Sequence, residues 1–445
     1  MHESILIRNA LCVSSQETKI ADVLIKDGLI ADIGASLKHH AQETIDAKGL
    51  ALLPGGIDPQ VHFREPGFEW KEDLASGSRA AAAGGITSFF DMPNNKPAIT
   101  TAALIAEKKK TARDKCCVNY NFFIGATTDN LDELNSVENV CGIKIFMGSS
   151  TGPLLVSNLK DLENIFANGK RLIAVHAEDE ETLLANAAKY GSSTDVLTHL
   201  KIRTPEAALR ATKLAVELSK KYSRRLHILH LTTKDEVDYL RYAKMEGPIS
   251  AEVCPQHMLL WAPDIYERLG TYAQMNPPIR DKSHAESLWA ALNDGIIDCI
   301  ATDHAPHTRE EKNSGYGKAP SGMPGVETSM PLLLDQVNKG RCDLTDVVRW
   351  MAETPCSLYG IKNKGRISQG FDADLVLVDM RKKKTVENGK LFTKVNWSPW
   401  HGQTLTGWPI ITIVGGQIVY REGDIFPDIR GREIVIDAPW EQGSK

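Results

Sequence analysis

The segment LHILHLTTKDEVDYLRYAKMEGPISAEV, residues 226–253, predicts one complete strand–helix–strand unit. Residues 226–229 and 249–253 are apolar runs of strand length, and residues 233–246 between them have helical character. Neither run alternates cleanly between apolar and polar side chains, which is typical of parallel strands buried on both faces. The segment therefore indicates a βαβ element of a parallel sheet.

The same alternation extends from residue 54 to about residue 305. Apolar runs rich in Ile, Val, Leu or Phe lie at 52–57, 86–90, 118–124, 142–147, 172–175, 226–229, 249–253 and 297–301. Helical segments between them include 71–83, 102–113, 205–222 and 233–246. Eight strand–helix units in about 250 residues are typical of a (β/α)8 TIM-like barrel, an α/β fold. A doubly wound open sheet is the alternative, because periodicity alone does not exclude it.

Both ends of the chain are β-rich. Short strands are predicted at residues 5–8, 23–26, 373–378 and 410–414, and Asp27-Gly28 and Gly415-Gly416 are hairpin signals. Neither end is long enough to form a stable sheet alone. We therefore expect both ends to meet in one small β-sandwich-like domain beside the barrel. The predicted division is an N-terminal β-segment 1–53, a barrel 54–355 and a C-terminal β-segment 356–445.

Composition excludes several classes of protein. The 445 residues are 42% hydrophobic, which is enough for packed cores and excludes a mainly disordered chain. With 52 Lys+Arg against 57 Asp+Glu, the net charge of −5 argues against nucleic acid or an anionic membrane as the main partner. The lysine runs at 108–110 and 382–384 are interpreted as solvated faces and do not change this expectation.

Cysteine usage and targeting signals indicate the compartment. Eight cysteines without a C-x-x-C pair are too sparse for a disulfide scaffold. The start of the chain lacks the basic and apolar regions of a signal peptide, and no apolar run approaches the roughly 18–20 residues that span a bilayer. We expect a cytoplasmic protein with reduced cysteines and no membrane partner.

Polar side chains stand at the predicted carboxyl ends of the strands, where barrel enzymes build their active sites. The candidate metal ligands among them are His62, Lys144, His176, His230 and Asp303. Each alone has an ordinary explanation: a structural histidine, a snorkelling lysine or a helix N-cap aspartate. Imidazole and carboxylate are zinc ligands. Because all five side chains are expected at one rim of the barrel, a single metal site is favoured over five unrelated structural roles.

Longer motifs carry a resemblance to a known family. They are His62-Phe63-Arg64-Glu65-Pro66-Gly67, Met92-Pro93-Asn94-Asn95-Lys96-Pro97, Asn276-Pro277-Pro278-Ile279-Arg280, Asp303-His304-Ala305-Pro306-His307 and the late Gly365-Arg366-Ile367 with Gly370-Phe371-Asp372-Ala373-Asp374-Leu375. With these motifs the chain resembles the dihydroorotases of the amidohydrolase superfamily nearly end to end. That similarity implies reversible hydrolysis of dihydroorotate to N-carbamoyl-aspartate in pyrimidine biosynthesis.

The resemblance implies one or two zinc ions per chain. Lys144 would be carboxylated and would bridge them, since an ammonium has no lone pair for a cation and a carbamate offers oxygen. His176 and His230 would complete one metal, and His62 with Asp303 would hold the other. Asp303 would also be catalytic, moving a proton from the attacking water to the departing amide nitrogen.

Substrate contacts follow from the charge of the substrate. A ring amide with a carboxylate needs a forked cation, and Arg64 supplies a planar guanidinium. A surface ion pair with Glu65 or Glu69 is the competing interpretation of this arginine. The resemblance further implies substrate contacts from Asn94, Asn276, His307, Ser321 and Gly322.

One position departs from the family motif H-x-H, where this chain has Gln60-Val61-His62. An amide oxygen is a much poorer zinc ligand than imidazole. Gln60 could be a weak ligand in an active enzyme, or the enzyme could hold one metal tightly. In a third interpretation the chain is an impaired scaffold for aspartate transcarbamoylase. His257 is interpreted as lying behind the ligands.

Three further alternatives stay open. Another cyclic amidase, acting on hydantoins, dihydropyrimidines or allantoin, is a nearby function, although Arg64 and His307 argue against substrates without a carboxylate. The polar loop at 308–324 is either an active-site lid or an ordinary surface loop. A homodimer is also an option, since relatives are often dimers.

Overall fold

The N-terminal strands are regular and short. The computed structural model describes residues 4–150, 152–426 and 428–436, so the first three residues, part of the predicted N-terminal β-segment, lie outside the described residues. The opening strands are β1 (Ser4–Val13), β2 (Thr18–Lys26), β3 (Leu29–Gly34), β4 (Glu43–Asp46) and β5 (Ala51–Pro54). Asp27 and Gly28 join β2 to β3 with φ of 55° and 82°, as the hairpin signal predicted.

The middle of the chain forms the predicted parallel barrel. Its strands are β6 (Gly56–Val61), β7 (Ile86–Asp91), β8 (Asn119–Phe122), β9 (Ile124–Gly125), β10 (Ile143–Phe146), β11 (Ile173–His176), β12 (Leu226–Ile228), β13 (Ile249–Val253) and β14 (Cys299–Ile300). They pair in parallel as β6-β7-β8 and as β9-β10-β11-β12-β13-β14, with β8 and β9 forming one interrupted strand. A parallel bridge from Val61 to His304 closes the ring.

Helices connect the barrel strands and cover their outer faces. The α-helices are α1 (Leu74–Ala83), α2 (Ala102–Lys115), α3 (Leu131–Ser136), α4 (Leu159–Ala167), α5 (Glu180–Tyr190), α6 (Thr198–Ile202), α7 (Pro205–Lys221), α8 (Lys234–Ala243), α9 (Pro255–Leu259), α10 (Asp264–Leu269), α11 (Lys282–Asn293), α12 (Arg309–Lys312), α13 (Ser329–Asn338), α14 (Leu344–Val348) and α15 (Thr354–Tyr359). Short 3₁₀ segments at Lys244–Glu246 and Gly270–Ala273 and a π-helical turn at Arg349–Glu353 complete them. Thr233 caps α8 in a capping box with Glu236.

The C-terminal strands complete the sheet that the N-terminal strands begin. They are β15 (Leu375–Thr385), β16 (Thr404–Val414), β17 (Gln417–Arg421) and β18 (Asp424–Ile425). The sheet order among the described residues is β18-β17-β16-β15-β5-β1-β2-β3, with β4 paired to β1. The prediction that both ends share one β-domain is confirmed, and β15 pairs antiparallel with β5 at the junction.

Two expectations from the sequence are wrong in detail. The apolar run 52–57 is not one strand, because β5 belongs to the end sheet while β6 begins the barrel two residues later. The lysine run at 108–110 is not wholly solvated, since Lys108 is 3% exposed. Its Nζ lies 2.5 Å from Asp91 Oδ2 and donates to Asn95 Oδ1 at 2.7 Å.

A separate apolar cluster fills the barrel interior. It includes side chains from successive barrel strands, namely Ile57, Phe90, Phe123, Ala174 and Leu229. Tyr359 and Cys356 from α15 belong to the same cluster. In the described part of the chain, no helix is long and apolar enough to cross a membrane.

Lys108→Met should destabilise the fold strongly. The change leaves the buried carboxylate of Asp91 without its cation, and breaking a buried pair from one side costs about 3–5 kcal/mol. Urea denaturation followed by circular dichroism measures this change. Lys110→Met, at an exposed position of the same helix, is the matched control and should leave the unfolding free energy within about 0.5 kcal/mol of the parent. Equal effects of the two variants would contradict the assignment.

Candidate functional site

A small cavity opens at the carboxyl ends of the barrel strands. It brings together nearly every site residue expected from the sequence. The residues that line it are Gln60, His62, Arg64, Asn94, Lys144, Phe146, Ser150, His176, His230, Asn276, Asp303, Ala305, Ser321 and Gly322. His307 does not line the cavity; it lies directly behind Arg64 and is completely buried.

Three of these residues have backbone conformations that are rare for side chains other than glycine. Arg64, His230 and Asp303 have φ of 66°, 37° and 46°. Each follows a barrel strand, where regular alternation would direct successive side chains to opposite faces. The left-handed conformation interrupts this alternation at the rim. Such strain is found where the surrounding structure holds a functional side chain in place.

Two pairs of candidate ligands face each other across the cavity. His62 Nε2 lies 3.0 Å from Asp303 Oδ1, and His176 Nδ1 lies 3.1 Å from His230 Nε2. Lys144 lines the same cavity, and its positive charge adds to burial in lowering the pKa of His62, His176 and His230. This division matches the two expected half-sites.

The His62–Asp303 pair places two acceptors against each other. His62 Nδ1 lies 2.6 Å from Asn94 Oδ1, and an amide oxygen only accepts hydrogen bonds, so Nδ1 carries the proton. Burial lowers the pKa of His62 below its usual value, and the ring is therefore neutral near pH 7. Its Nε2 lone pair then faces the Asp303 carboxylate at close range, an arrangement that a shared cation would stabilise.

Glu178 orients His176 and was missed by sequence reasoning. Its Oε2 lies 2.9 Å from His176 Nε2 and also pairs with Arg203. Burial acts to raise the pKa of Glu178, but the charge of Arg203 outweighs it and holds the pKa at about 2. Nε2 makes no hydrogen bond in this structure, but the negative charge of Glu178 beside it favours a proton on that nitrogen and thus a lone pair on Nδ1, which faces His230. The signal was the H-x-E spacing of His176 and Glu178.

The donor set fits a metal ion. Burial lowers the pKa of His176 and His230, so these rings are neutral and keep lone pairs. Burial also lowers the pKa of Lys144 to about 7. Lys144 Nζ and His230 Nδ1 are buried without a hydrogen-bond partner. Neutral imidazoles, a carboxylate and unsatisfied buried atoms are the chemistry that zinc requires.

Gln60 lies in the cavity as a partner of Asp303. Its Nε2 donates to Asp303 Oδ1 at 3.1 Å, on the same oxygen that faces His62. Its Oε1 is buried and has no hydrogen-bond partner. The amide therefore occupies the position of the expected first histidine and offers only one neutral oxygen towards a cation.

Arg64 is a buried cation with no acidic partner among the described residues. It is 3% exposed, and no described carboxylate lies within 4.0 Å of its guanidinium. The competing ion pairs are absent from these residues, since Glu65 binds Lys115 and Glu69 accepts from the Gly67 backbone. Burial lowers the pKa of Arg64 to about 10, which still leaves it charged at neutral pH.

His307 is oriented by contacts on both ring nitrogens. Lys71 Nζ lies 3.1 Å from Nδ1, and a lysine only donates, so Nδ1 accepts and Nε2 carries the proton. Burial and the charge of Arg64 lower the pKa of His307 and keep the ring neutral. Nε2 then donates to the Ser321 carbonyl at 3.0 Å. Arg64 Nη2 lies 3.2 Å from the same His307 Nε2. Because this nitrogen carries a proton, it cannot accept a hydrogen bond from the arginine.

Hydrogen bonds from a buried lysine hold the loop at 308–324 in place. Lys312 is completely buried, and its Nζ donates to the carbonyl oxygens of Gln274, Pro320 and Gly322 at 3.1, 2.9 and 3.0 Å. These contacts hold the Ser321-Gly322 backbone at the cavity wall. The loop therefore forms a fixed part of the site in this structure. Sequence reasoning gave Lys312 no role, since nothing local distinguishes it from solvated lysines.

Comparisons with known proteins show which family the chain resembles. The amidohydrolase family matches residues 51–419. The chain is 36% identical to a dihydroorotase of Methanosarcina acetivorans, covering 94% of this chain and 92% of that protein. It is 37% identical to a dihydroorotase of Pyrococcus horikoshii, covering 87% and 85%. Among solved structures, an L-hydantoinase (dihydropyrimidinase) from Arthrobacter aurescens superposes with a TM-score of 0.93 at 30% identity, covering 98% of this chain and 100% of that one.

Lys312→Met should loosen the cavity wall. The change removes a donor shared by three buried carbonyls, at about 1–3 kcal/mol for each group left unsatisfied. Hydrogen exchange read by mass spectrometry should show faster exchange in residues 308–324, with other barrel loops unchanged. Lys318→Met, at an exposed position of the same loop, is the control. Unchanged exchange in the Lys312 variant would show that other contacts hold the loop.

Proposed function

Because the chain belongs to the amidohydrolase family and is a hydrolase acting on cyclic amides, we propose that it is a dihydroorotase. Its reaction would be the zinc-dependent, reversible conversion of dihydroorotate to N-carbamoyl-aspartate, a step of pyrimidine biosynthesis. The single observation that carries this proposal is that Arg64 lines the cavity as a buried guanidinium with no described carboxylate within 4.0 Å. The dihydroorotases among the sequence relatives support the same reaction.

The charge of Arg64 selects the substrate class. A buried cation without a counter-ion is costly, and a bound carboxylate would remove that cost. A guanidinium can donate two parallel hydrogen bonds to a carboxylate. Dihydroorotate and carbamoyl-aspartate both carry a carboxylate beside the reacting amide, whereas unsubstituted hydantoin and dihydrouracil do not. His307 supports the contact indirectly, since it holds Ser321 and leaves the Nη2 N–H groups of Arg64 for the ligand, while Arg64 Nε donates to the Pro306 carbonyl.

The metal ligands would be Lys144, His176 and His230 for one zinc and Lys144, His62 and Asp303 for the other. With a pKa of about 7, Lys144 is partly unprotonated at neutral pH, the form that can add to carbon dioxide and become a carbamate. Zinc at this position would polarise the amide carbonyl and lower the pKa of the attacking water.

The protein groups then carry the proton and hold the ring. Asp303 is ionised, because its pKa lies at about 2 although burial acts to raise it. It would accept the proton of the attacking water and deliver it to the amide nitrogen as the ring opens. Arg64 would hold the substrate carboxylate, while Asn276 and the Ser321-Gly322 backbone would face the pyrimidine ring.

Hydantoinase activity is the second candidate. Its support is the similarity of the whole fold to hydantoinases, including a D-hydantoinase with a TM-score of 0.89 at 29% identity that covers 96% of this chain and 98% of that one. A silent scaffold for aspartate transcarbamoylase is a third, motivated by Gln60. The neutral imidazoles, the unsatisfied Lys144 and the ionised Asp303 argue for a working site, because a scaffold does not require these costly buried groups.

Arg64→Gln should separate the two activities. Loss of the two parallel guanidinium hydrogen bonds should lower kcat/KM for dihydroorotate by roughly 30-fold or more, since losing one side of a buried charge contact costs about 2–5 kcal/mol. Activity on unsubstituted hydantoin should change little. The wild-type protein is assayed with both substrates, and Arg113→Gln on the protein surface is the control. A wild-type preference for hydantoin would reject the proposal.

The amount of zinc bound to the protein should depend on the side chains at positions 144 and 60. Lys144→Ala should abolish turnover and remove zinc from the cavity, because both half-sites lose their shared ligand. Gln60→His should leave the fold unchanged and tighten the weaker zinc at least about tenfold, as imidazole is the better ligand. Zinc is measured by elemental analysis and by titration of metal-free protein. Wild-type protein with neither zinc nor turnover would support the scaffold, and unchanged stoichiometry in Gln60→His would place Gln60 outside the metal site.

A further inference from the structure

A second group of potential ligands lies inside the barrel, apart from the cavity. His227, Glu252 and Cys299 come from β12, β13 and β14, and their donor atoms lie within 4.8 Å of one another. All three side chains are completely buried. The group shares no residue with the cavity described above. It combines the three donor types, imidazole, carboxylate and thiol, that proteins use most often for zinc.

Both ring nitrogens of His227 have buried polar partners that can fix its tautomer. Its Nδ1 lies 2.8 Å from Ser250 Oγ, and the Ser250 hydroxyl lies 3.3 Å from the Leu226 carbonyl oxygen. Glu252 Oε2 lies 3.0 Å from Nε2, and a carboxylate only accepts, so without a metal Nε2 carries the ring proton and Nδ1 can accept from the Ser250 hydroxyl. A metal ion at Nε2 would replace this proton, and the ring proton would then lie on Nδ1, where the Ser250 hydroxyl can accept it while donating to the Leu226 carbonyl. A second group that fixes the tautomer in this way is typical of metal-bound histidines.

Unsatisfied polar atoms converge on the same place. Glu252 Oε1 and the hydroxyl of Tyr359 are buried and have no hydrogen-bond partner. Tyr359 contacts His227 edge-to-face at a centroid distance of 6.0 Å, and burial together with the charge of Glu252 raises the pKa of this phenol. Within the described residues, no lysine or arginine lies within 4.0 Å of the Glu252 carboxylate. A buried carboxyl group with an unsatisfied oxygen in a dry core is costly.

We propose that His227, Glu252 and Cys299 form a structural zinc site inside the barrel, separate from the catalytic metals. One zinc ion would bind Nε2, the carboxylate and the thiolate. A water hydrogen-bonded to the Tyr359 hydroxyl would fill the fourth position of the tetrahedron. Binding of zinc releases the thiol proton, which leaves the interior with a balanced charge: one carboxylate and one thiolate against a divalent cation. The ion would tie three consecutive barrel strands together beneath the catalytic rim.

Sulfur distinguishes this site from the catalytic one. No residue that lines the cavity carries sulfur, so a metal–thiolate signal reports on the interior site alone. Zinc K-edge absorption of the wild-type protein as purified should show a sulfur neighbour at about 2.3 Å, amounting to one sulfur per chain when averaged over all bound zinc. Protein produced with cobalt in place of zinc should show the near-ultraviolet thiolate-to-cobalt charge-transfer band.

Variants assign the signal to its ligands. Cys299→Ala and His227→Asn should each lose the band and one equivalent of cobalt. Cys254→Ala, a buried neighbouring thiol outside the group, should keep both. Lys144→Ala should keep the band while losing turnover and the cavity metal, so failure of the catalytic proposal is separate from failure of this one. Absence of sulfur scattering and of the band in wild-type protein overturns the proposal and leaves a hydrogen-bonded His227–Glu252 pair. A band that persists in Cys299→Ala overturns it as well.

Discussion

Closure of the barrel between its first and last strands is the constraint on which the site depends. The His62 backbone N–H donates to the His304 carbonyl at 2.8 Å. Four residues before His62, in β6, the Asp58 carboxylate accepts from the backbone N–H and the hydroxyl of Thr302. This seam brings Gln60 against Asp303, 243 positions away in the chain. Without it, the half-site of His62 and Asp303 and the contact between Arg64 and His307 would not exist.

Burial and orientation together prepare the cavity for a cation. Removing the imidazoles from water favours their neutral form, and a neutral ring has one lone pair whose direction depends on its other nitrogen. Asn94 sets that direction for His62, and Glu178 sets it for His176. The cost of unsatisfied lone pairs in the cavity is balanced by the rest of the barrel, whose apolar strands and helices provide the folding free energy. The same reasoning applies to the interior group at His227.

Much of the architecture could be predicted from the sequence. Apolar runs without alternation identified the barrel strands, because parallel strands covered on both faces have no polar side. The run 52–57 misled because a continuous apolar segment does not show where a chain leaves one sheet and enters another. Lys108 and Lys312 were missed for a related reason. A lysine that reaches a buried carboxylate or three carbonyl oxygens has the same local sequence as a solvated one, and only its distant partners reveal it.

The sequence by itself determined the elements and the chemical groups of this protein: which residues form strands and helices, and which imidazoles, carboxylates and amines stand at strand ends. Only the tertiary structure decided how those groups are used. It placed Arg64 away from every described carboxylate, assigned Gln60 to Asp303, and put His307 behind the cavity rather than in it. The physical reason is that strand patterns depend on the periodicity of neighbouring residues. Charge, protonation and hydrogen-bond direction depend on burial and on partners that lie far away in the chain.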